Sequence, residues 1–174
     1  IGRGEPIKDT ARVLSRYLDG IMIRTYDHGE VEELAAYADI PVINGLTDLL
    51  HPCQAMADLM TIQEHKGKLA GLKLAYVGDG NNMAHSLLLA CSQFGMHVSI
   101  GCPDGYRPQK DIVSAAKENA QKWGSQVEIT GDPQEAVQDA HVLYTDVWAS
   151  MGQEDEQKER MKVFAPYQLN AKLA

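Results

Sequence analysis

Two short polar stretches sit at the ends of apolar runs, His51-Pro52-Cys53-Gln54 and Asp146-Val147-Trp148-Ala149-Ser150-Met151-Gly152. The first offers an imidazole that can donate or shuttle a proton, and a carboxamide at the opening of a helix. The second offers a carboxylate, a hydroxyl and a turn of small residues. They read as two halves of one small-molecule site, because α/β proteins keep their ligands on the loops that follow strands. Asn81 and Asn82 add neighbouring carboxamides, which donate to a carboxylate or accept from an ammonium. An amino acid carries both groups, so Asn81, Asn82, Asp146 and Ser150 form a candidate clamp for one. The competing reading is that Asp146 and Ser150 cap the turn after a strand. Trp148 and Met151, taken alone, read as packing residues.

The other half is cationic. Arg24 closes the apolar run Ile21-Met22-Ile23, expected to be a buried strand, where a charge needs an anionic ligand or a structural ion-pair partner. His51 stands before a helix N-terminus, whose positive dipole end favours a neutral hydrogen-bonding ring; it could equally cap that helix. Gln54 points either to a ligand or to solvent, and Cys53 reads as a small buried filler.

These residues need elements to hold them. Val13, Leu14, Tyr17 and Leu18 share a helical face after a candidate N-cap at Asp9, and Gly20 ends that helix. The strand Ile21–Arg24 follows, then a helix with Val31, Leu34, Ala35 and Ala38 on one face, then a strand from Pro41 to Asn44. Pro52 suits the first position of a third helix, because its missing N–H would go unpaired there anyway. Gly67 and Gly71 mark a boundary. A second alternation begins at the strand Lys73–Val77 and runs through the turn Gly78–Asn82, a helix over 83–94, the strand 98–100, a helix over about 111–123, the strand 127–130, a short helix at 133–138 and the strand 142–145. Strands separated by helices imply right-handed crossovers and parallel sheets. Residues 153–160 are dense in charge and read as a solvated helix face or a loop.

The glycine turn invites a dinucleotide reading, but the third glycine of the phosphate-binding fingerprint falls on Met83 and no acidic residue closes the second strand. A nicotinamide or flavin site is therefore disfavoured. The 174 residues carry a formal net charge of −8, which argues against nucleic acid and anionic membranes as partners. No apolar run reaches the roughly 20 residues of a bilayer span. Cys53, Cys91 and Cys102 are odd in number and lack C-x-x-C spacing, so neither a disulfide framework nor a zinc cluster is suggested and a reducing cytoplasm fits. The chain opens at Ile1 without an initiator Met and stops at Ala174 inside an expected helix beginning near Pro166. It is expected to be a piece of a longer polypeptide.

With these residues in view, the chain resembles the aspartate/ornithine carbamoyltransferase family, and its ornithine-specific branch in particular. The resemblance rests on Glu5 with Asp9-Thr10-Ala11-Arg12-Val13-Leu14, on Asn44-Gly45-Leu46-Thr47-Asp48, on His51-Pro52-x-Gln54, on Gly78-Asp79-Gly80-Asn81-Asn82 and on Asp146-x-Trp148-x-Ser150-Met151-Gly152. The His-Pro-x-Gln element is shared across the family; the Asp-x-Trp-x-Ser-Met-Gly element points to ornithine.

The resemblance implies an α/β fold of two Rossmann-like parallel-sheet domains, the first only partly present. Residues 1–65 would close a carbamoyl-phosphate domain and 66–174 would form most of an ornithine domain, lacking its last elements. It implies that Arg24 and His51 polarise the carbonyl oxygen of carbamoyl phosphate and that Gln54 bonds its amide. Asn82, Asp146, Ser150 and the backbone of Met151 would hold ornithine, with Asn81 beside that pocket. The neutral δ-amine would attack the carbonyl carbon, and the tetrahedral oxyanion would collapse to citrulline and phosphate, with no metal or organic cofactor. A cytoplasmic homotrimer, or a multiple of trimers, is implied, with Arg3 in a stretch that reaches a neighbouring subunit's site in some relatives. The family's Ser-Thr-Arg-Thr-Arg element falls upstream of Ile1 and its His-Cys-Leu-Pro element downstream of Ala174, so the chain alone is expected to turn over little or not at all. Transfer to another amine or amino acid, such as putrescine or aspartate, and a non-catalytic amino-acid-binding module are the alternatives.

Overall fold

The computed structural model describes residues 4–149 and 154–174. Its contacts divide the chain into two compact units, 1–54 and 55–174.

In the first unit, α1 (Ile7–Leu14) and α2 (His28–Tyr37) alternate with β1 (Ile21–Arg24) and β2 (Val42–Leu46). The two strands pair in parallel, Ile21 with Val42 and Ile23 with Asn44, and a register shift follows Ile23. Gly45 occupies that shift, where a Cβ would lie 2.6 Å from Met22 Sδ and 3.0 Å from the Ile23 carbonyl. Asp27 caps α2 by accepting from the Gly29 N–H at 2.8 Å, and Val31 and Leu34 bury its inner face. Three expectations are corrected here. Asp9 lies inside α1, in its first turn, and Pro6 occupies the cap position. Val13, Tyr17 and Leu18 are exposed, and Ala11 is the residue α1 buries. The strand β1 is only half-buried, at Ile21 and Ile23, with Met22 and Arg24 exposed. The reason for the last is that a two-stranded sheet covered by helices on one face leaves its other face open among the described residues.

The helix α3 (Pro52–Lys66) begins at the proline, as its missing N–H suggests. Within the second unit follow β3 (Lys73–Val77), α4 (Asn82–Gln93), β4 (His97–Gly101), α5 (Lys110–Trp123), β5 (Val127–Thr130), α6 (Pro133–Val137), β6 (Val142–Tyr144) and α7 (Gln157–Phe164). The four strands form one parallel sheet in the order β5-β4-β3-β6. Successive strands step outward from β3, and then β6 returns to the other side of it. The direction in which strands are added therefore reverses between β3 and β6, the place where parallel α/β sheets keep ligands at their carboxyl ends.

Period-two alternation divides the sheet residues between two cores. Leu74, Tyr76, Val98 and Ile100 face a cluster built with Leu59 and Ile62 of α3 and Leu87, Leu88 and Cys91 of α4. Val77 faces a second cluster with Ala136, Phe164 and Tyr167. Burial pushes the Cys91 thiol up to about 12 and the Cys102 thiol up to about 11. No helix among the described residues is long and apolar enough to cross a membrane.

The charge-dense stretch 153–160 is where the structure departs most from expectation. Its latter part belongs to α7, and Arg160 is buried. Arg160 and Phe164, four residues apart, are both buried, so one face of an otherwise solvated helix turns inward, while Glu156 one turn earlier stays exposed. Near Pro166 only a 3-10 turn forms, Ala165–Tyr167, instead of a helix.

Candidate active site

In the first unit, the approach to His51 is fixed by short-range polar bonds. Thr47 is fully buried. Its hydroxyl donates to the Leu50 carbonyl at 3.2 Å and accepts from the Leu50 N–H at 3.1 Å, while its own N–H donates to the Leu50 carbonyl at 2.8 Å. His28 Nδ1 lies 2.9 Å from the same hydroxyl, and the His28 N–H donates to Asp48 Oδ1 at 3.2 Å. The stretch Asn44–Asp48 is thus a brace that aims the residues following it. His51 directly precedes α3 and is half-buried, and Gln54 is exposed in the first turn. Cys53 is exposed rather than buried, and its thiol donates to the Asn44 carbonyl at 3.3 Å. Arg24 closes β1 on the exposed side. The cation therefore carries no interior desolvation cost, which removes the argument that a buried strand end demands an anion there.

In the second unit, the candidate residues gather at the switch between β3 and β6. Tyr76 pairs with Tyr144 in the register of these strands, and the Thr145 hydroxyl donates to the Val77 carbonyl at 2.9 Å. The next residues out are Gly78 on one side and Asp146 on the other. Gly78 takes φ +150°, and Gly80 N–H donates to the Tyr106 carbonyl at 2.9 Å. A Cβ at Gly80 would lie 2.3 Å from Pro108 N and 2.5 Å from the Tyr106 carbonyl oxygen. That glycine therefore serves close backbone packing against the 103–108 loop.

Asn81 caps α4, its side-chain oxygen accepting from the Met83 N–H at 3.0 Å and the Ala84 N–H at 3.2 Å. The Tyr76 hydroxyl donates to the same oxygen at 3.4 Å. Asn82 is the first residue of α4 and half-buried. Asp146 is half-buried and accepts from the Val147 N–H at 2.8 Å, so its carboxylate does bond the turn that follows it. Burial raises the Tyr76 hydroxyl well above its usual range, and the charges of Asp146 and Asp79 add to the effect. Both carboxylates thus act electrostatically on one buried phenol. Arg3, Ser150, Met151 and Gly152 lie outside the described residues.

Two further charged residues meet at this edge: Asp79, inside the Gly78–Asn82 turn, and Arg160, which no motif singles out. Arg160 Nη1 donates to Asp79 Oδ2 at 2.7 Å, a buried ion pair 81 residues apart in sequence. Burial raises the Asp79 carboxyl above its ordinary value, although the Arg160 hydrogen bond and charge pull it down. The only signal for Arg160 in the sequence is its i, i+4 spacing from Glu156 and to Phe164. Nothing local marks Asp79 as its partner.

A concavity of about 870 Å³ opens at the opposite end of the sheet, among Lys73, His97, Glu128 and His141. It contains none of the candidate residues. Strand amino ends are also the wrong end for a ligand site in a parallel sheet. Among the described residues no three His, Cys, Asp or Glu side chains are grouped to hold a metal ion.

Comparison with known proteins gives a consistent result. Residues 1–64 match the family described as aspartate/ornithine carbamoyltransferase, carbamoyl-P binding domain, and residues 70–174 match aspartate/ornithine carbamoyltransferase, Asp/Orn binding domain. The chain is 64% identical over 173 residues to an ornithine carbamoyltransferase of Anoxybacillus flavithermus, covering 99% of this chain and 55% of that protein. It is 61% identical over 173 residues to one of Bacillus subtilis, covering 99% and 54%. The solved ornithine carbamoyltransferase from Pyrococcus furiosus superposes with a TM-score of 0.94 at 57% identity, over 99% of this chain and 55% of that one. The chain spans about half the length of the curated relatives it matches.

Proposed function

We propose, on the premise that this chain belongs to the aspartate/ornithine carbamoyltransferase family, that it is part of an ornithine carbamoyltransferase and carries residues from both of its substrate sites. The observation that carries this reading is that the family's two domains match in order along one chain, with Asn82 and Asp146 at the strand switch of the second. Residues 1–65 are assigned to the carbamoyl-phosphate domain and residues 66–174 to the ornithine domain.

On this reading Arg24 and His51 donate to the carbonyl oxygen of carbamoyl phosphate, and Gln54 accepts from its amide. Asp146 takes the α-ammonium of ornithine. Asn82, Ser150 and the Met151 backbone complete the grip, and Asn81 holds the helix that presents Asn82. The neutral δ-amine forms a bond to the carbonyl carbon and the carbonyl electrons move onto oxygen; the oxyanion then re-forms the carbonyl as the C–O bond to phosphate breaks, and the departing phosphate takes up the amine proton. Citrulline and phosphate leave. Rate enhancement comes from holding amine and carbonyl together and from cationic donors aimed at the developing oxyanion. The whole enzyme is assigned to the cytoplasm as a homotrimer or a multiple of trimers. The 174 residues alone are expected to show little or no turnover.

The test is the intact mass of the native polypeptide together with a citrulline assay on the same sample. A complete polypeptide that forms citrulline from carbamoyl phosphate and ornithine supports the reading. Carbamoyl-aspartate or carbamoyl-putrescine as the product would replace ornithine with that acceptor. Binding of ornithine without phosphate release by the complete polypeptide would leave only an amino-acid-binding module.

A further inference from the structure

Arg160 is 6% exposed, yet it stands in a helix whose other charged residues face solvent. Its Nη1 donates to two acceptors, Asp79 Oδ2 at 2.7 Å and the Trp148 carbonyl at 2.9 Å, and its Nε donates to Glu156 Oε2 at 3.0 Å. The guanidinium carbon lies 5.0 Å from the centre of the Tyr106 ring and 5.8 Å from that of Phe164. Its partners come from three separate loops at the carboxyl edge of the sheet. Asp79 is three residues before Asn82, and Trp148 is two residues after Asp146. Tyr106 belongs to the loop whose carbonyl receives the Gly80 N–H.

Burying a guanidinium is costly unless every part of it is used. Packing α7 onto the sheet would need only the apolar contacts that Phe164 and Tyr167 already make. What the guanidinium adds is geometry, because its donors lie in a rigid planar fork.

We infer that Arg160 is a positioning residue for the amino-acid half of the site: by binding Asp79 and the Trp148 carbonyl through one nitrogen, it fixes the turn that leads into Asn82 relative to the segment that begins at Asp146. The spacing between those two residues sets the grip on an acceptor with an α-ammonium and an α-carboxylate. The inference rests on the ornithine reading given above. It makes the carbamoyl-phosphate side indifferent to Arg160, because all of its contacts lie within the second unit.

The test uses the complete polypeptide that contains this segment, with R160Q, R160K and D79N measured for kcat and for the KM of each substrate, alongside thermal melting. R160Q is expected to raise the ornithine KM by about tenfold or more while the carbamoyl-phosphate KM stays within about twofold. R160K, which keeps the charge without the fork, is expected to fall between R160Q and the parent. D79N preserves volume and an acceptor oxygen and is expected to raise the ornithine KM by about threefold or more. Should R160Q not fold, D79N decides alone. An ornithine KM within about twofold of the parent in the folded variants, or both KM values rising together, overturns the inference and leaves the ornithine reading standing. A parent that carbamoylates no amino acid overturns that reading and the inference with it.

Discussion

Tyr76 and Tyr144 occupy paired positions on β3 and β6, and their rings stack with centroids 5.9 Å apart. The pair sits at the strand switch, directly beneath the turn that carries Asn81 and Asn82 and the segment that begins at Asp146. Tyr76 reaches Asn81 through its hydroxyl. Burial raises the Tyr144 hydroxyl, and the charge and hydrogen bonding of Asp58 raise it further. Both phenols at the strand switch are thus harder to ionise, first by burial and then by nearby carboxylates.

The raised Tyr76 pKa links stability to alkaline pH. An unfolded phenol ionises near pH 10, whereas the folded one stays protonated because burial, then Asp146 and Asp79, disfavour its anion. The folded state binds the extra proton, so this stabilisation is complete below about pH 10 and is lost as pH rises further. Urea unfolding between pH 8 and 11 is expected to show stability falling above pH 10, with Tyr76 contributing up to about 1.4 kcal/mol per pH unit. Y76F should fall less steeply; equal slopes would refute the assignment.

Asn81 is expected to act through its oxygen. N81A removes the cap of α4 and should cost about 1 kcal/mol. N81D keeps an acceptor for the Met83 and Ala84 N–H groups and should melt close to the parent. Equal losses in both variants would show that the cap is not the source of the effect.

Gly80 has no room for a methyl group. In G80A the new Cβ would meet the backbone of Tyr106, Arg107 and Pro108, and an overpacked contact of this kind costs about 1–3 kcal/mol. The melting temperature should drop by roughly 2–4 °C for each kcal/mol. G131A is the control, since a Cβ there has nothing within 4 Å and should change stability by less than about 0.5 kcal/mol. Similar melting temperatures for the two variants would show that the turn relaxes away from the 103–108 loop.

The proposed chemistry needs a neutral amine, and an alkyl ammonium has a pKa near 10. For the complete polypeptide, kcat/KM for ornithine is expected to rise by about tenfold per pH unit on the acid limb. A flat profile across pH 6–9 would exclude attack by the δ-amine as the pH-limiting step.

The strand and helix pattern of 73–145 was legible because each element declares itself locally. Lys73–Val77 and Val127–Thr130 match their expected bounds, for apolar runs between glycines and polar turns leave few alternatives. Pro52 announced the start of α3 by the N–H it lacks. The first helix ends earlier than its pattern suggests: Val13–Leu18 look amphipathic after Asp9, yet the chain turns after Leu14 and leaves Val13, Tyr17 and Leu18 exposed. Periodicity reports a possible face, and only packing decides whether that face is covered.

Residue type alone determined which side chains could serve an amino acid and a polarised carbonyl: Asn82, Asp146, His51 and Arg24. Tertiary structure decided the surroundings of these groups. The β5-β4-β3-β6 order brings Asp146 beside Gly78, and the 103–108 loop explains Gly80. Arg160 lay within a stretch that reads as solvated charge, yet it is buried on an aspartate 81 residues away. Strand order and long-range ion pairs depend on contacts between segments far apart in the chain. Local propensity and spacing encode only neighbours a few residues apart, so the candidate side chains were legible in the sequence and the scaffold that aims them required the fold.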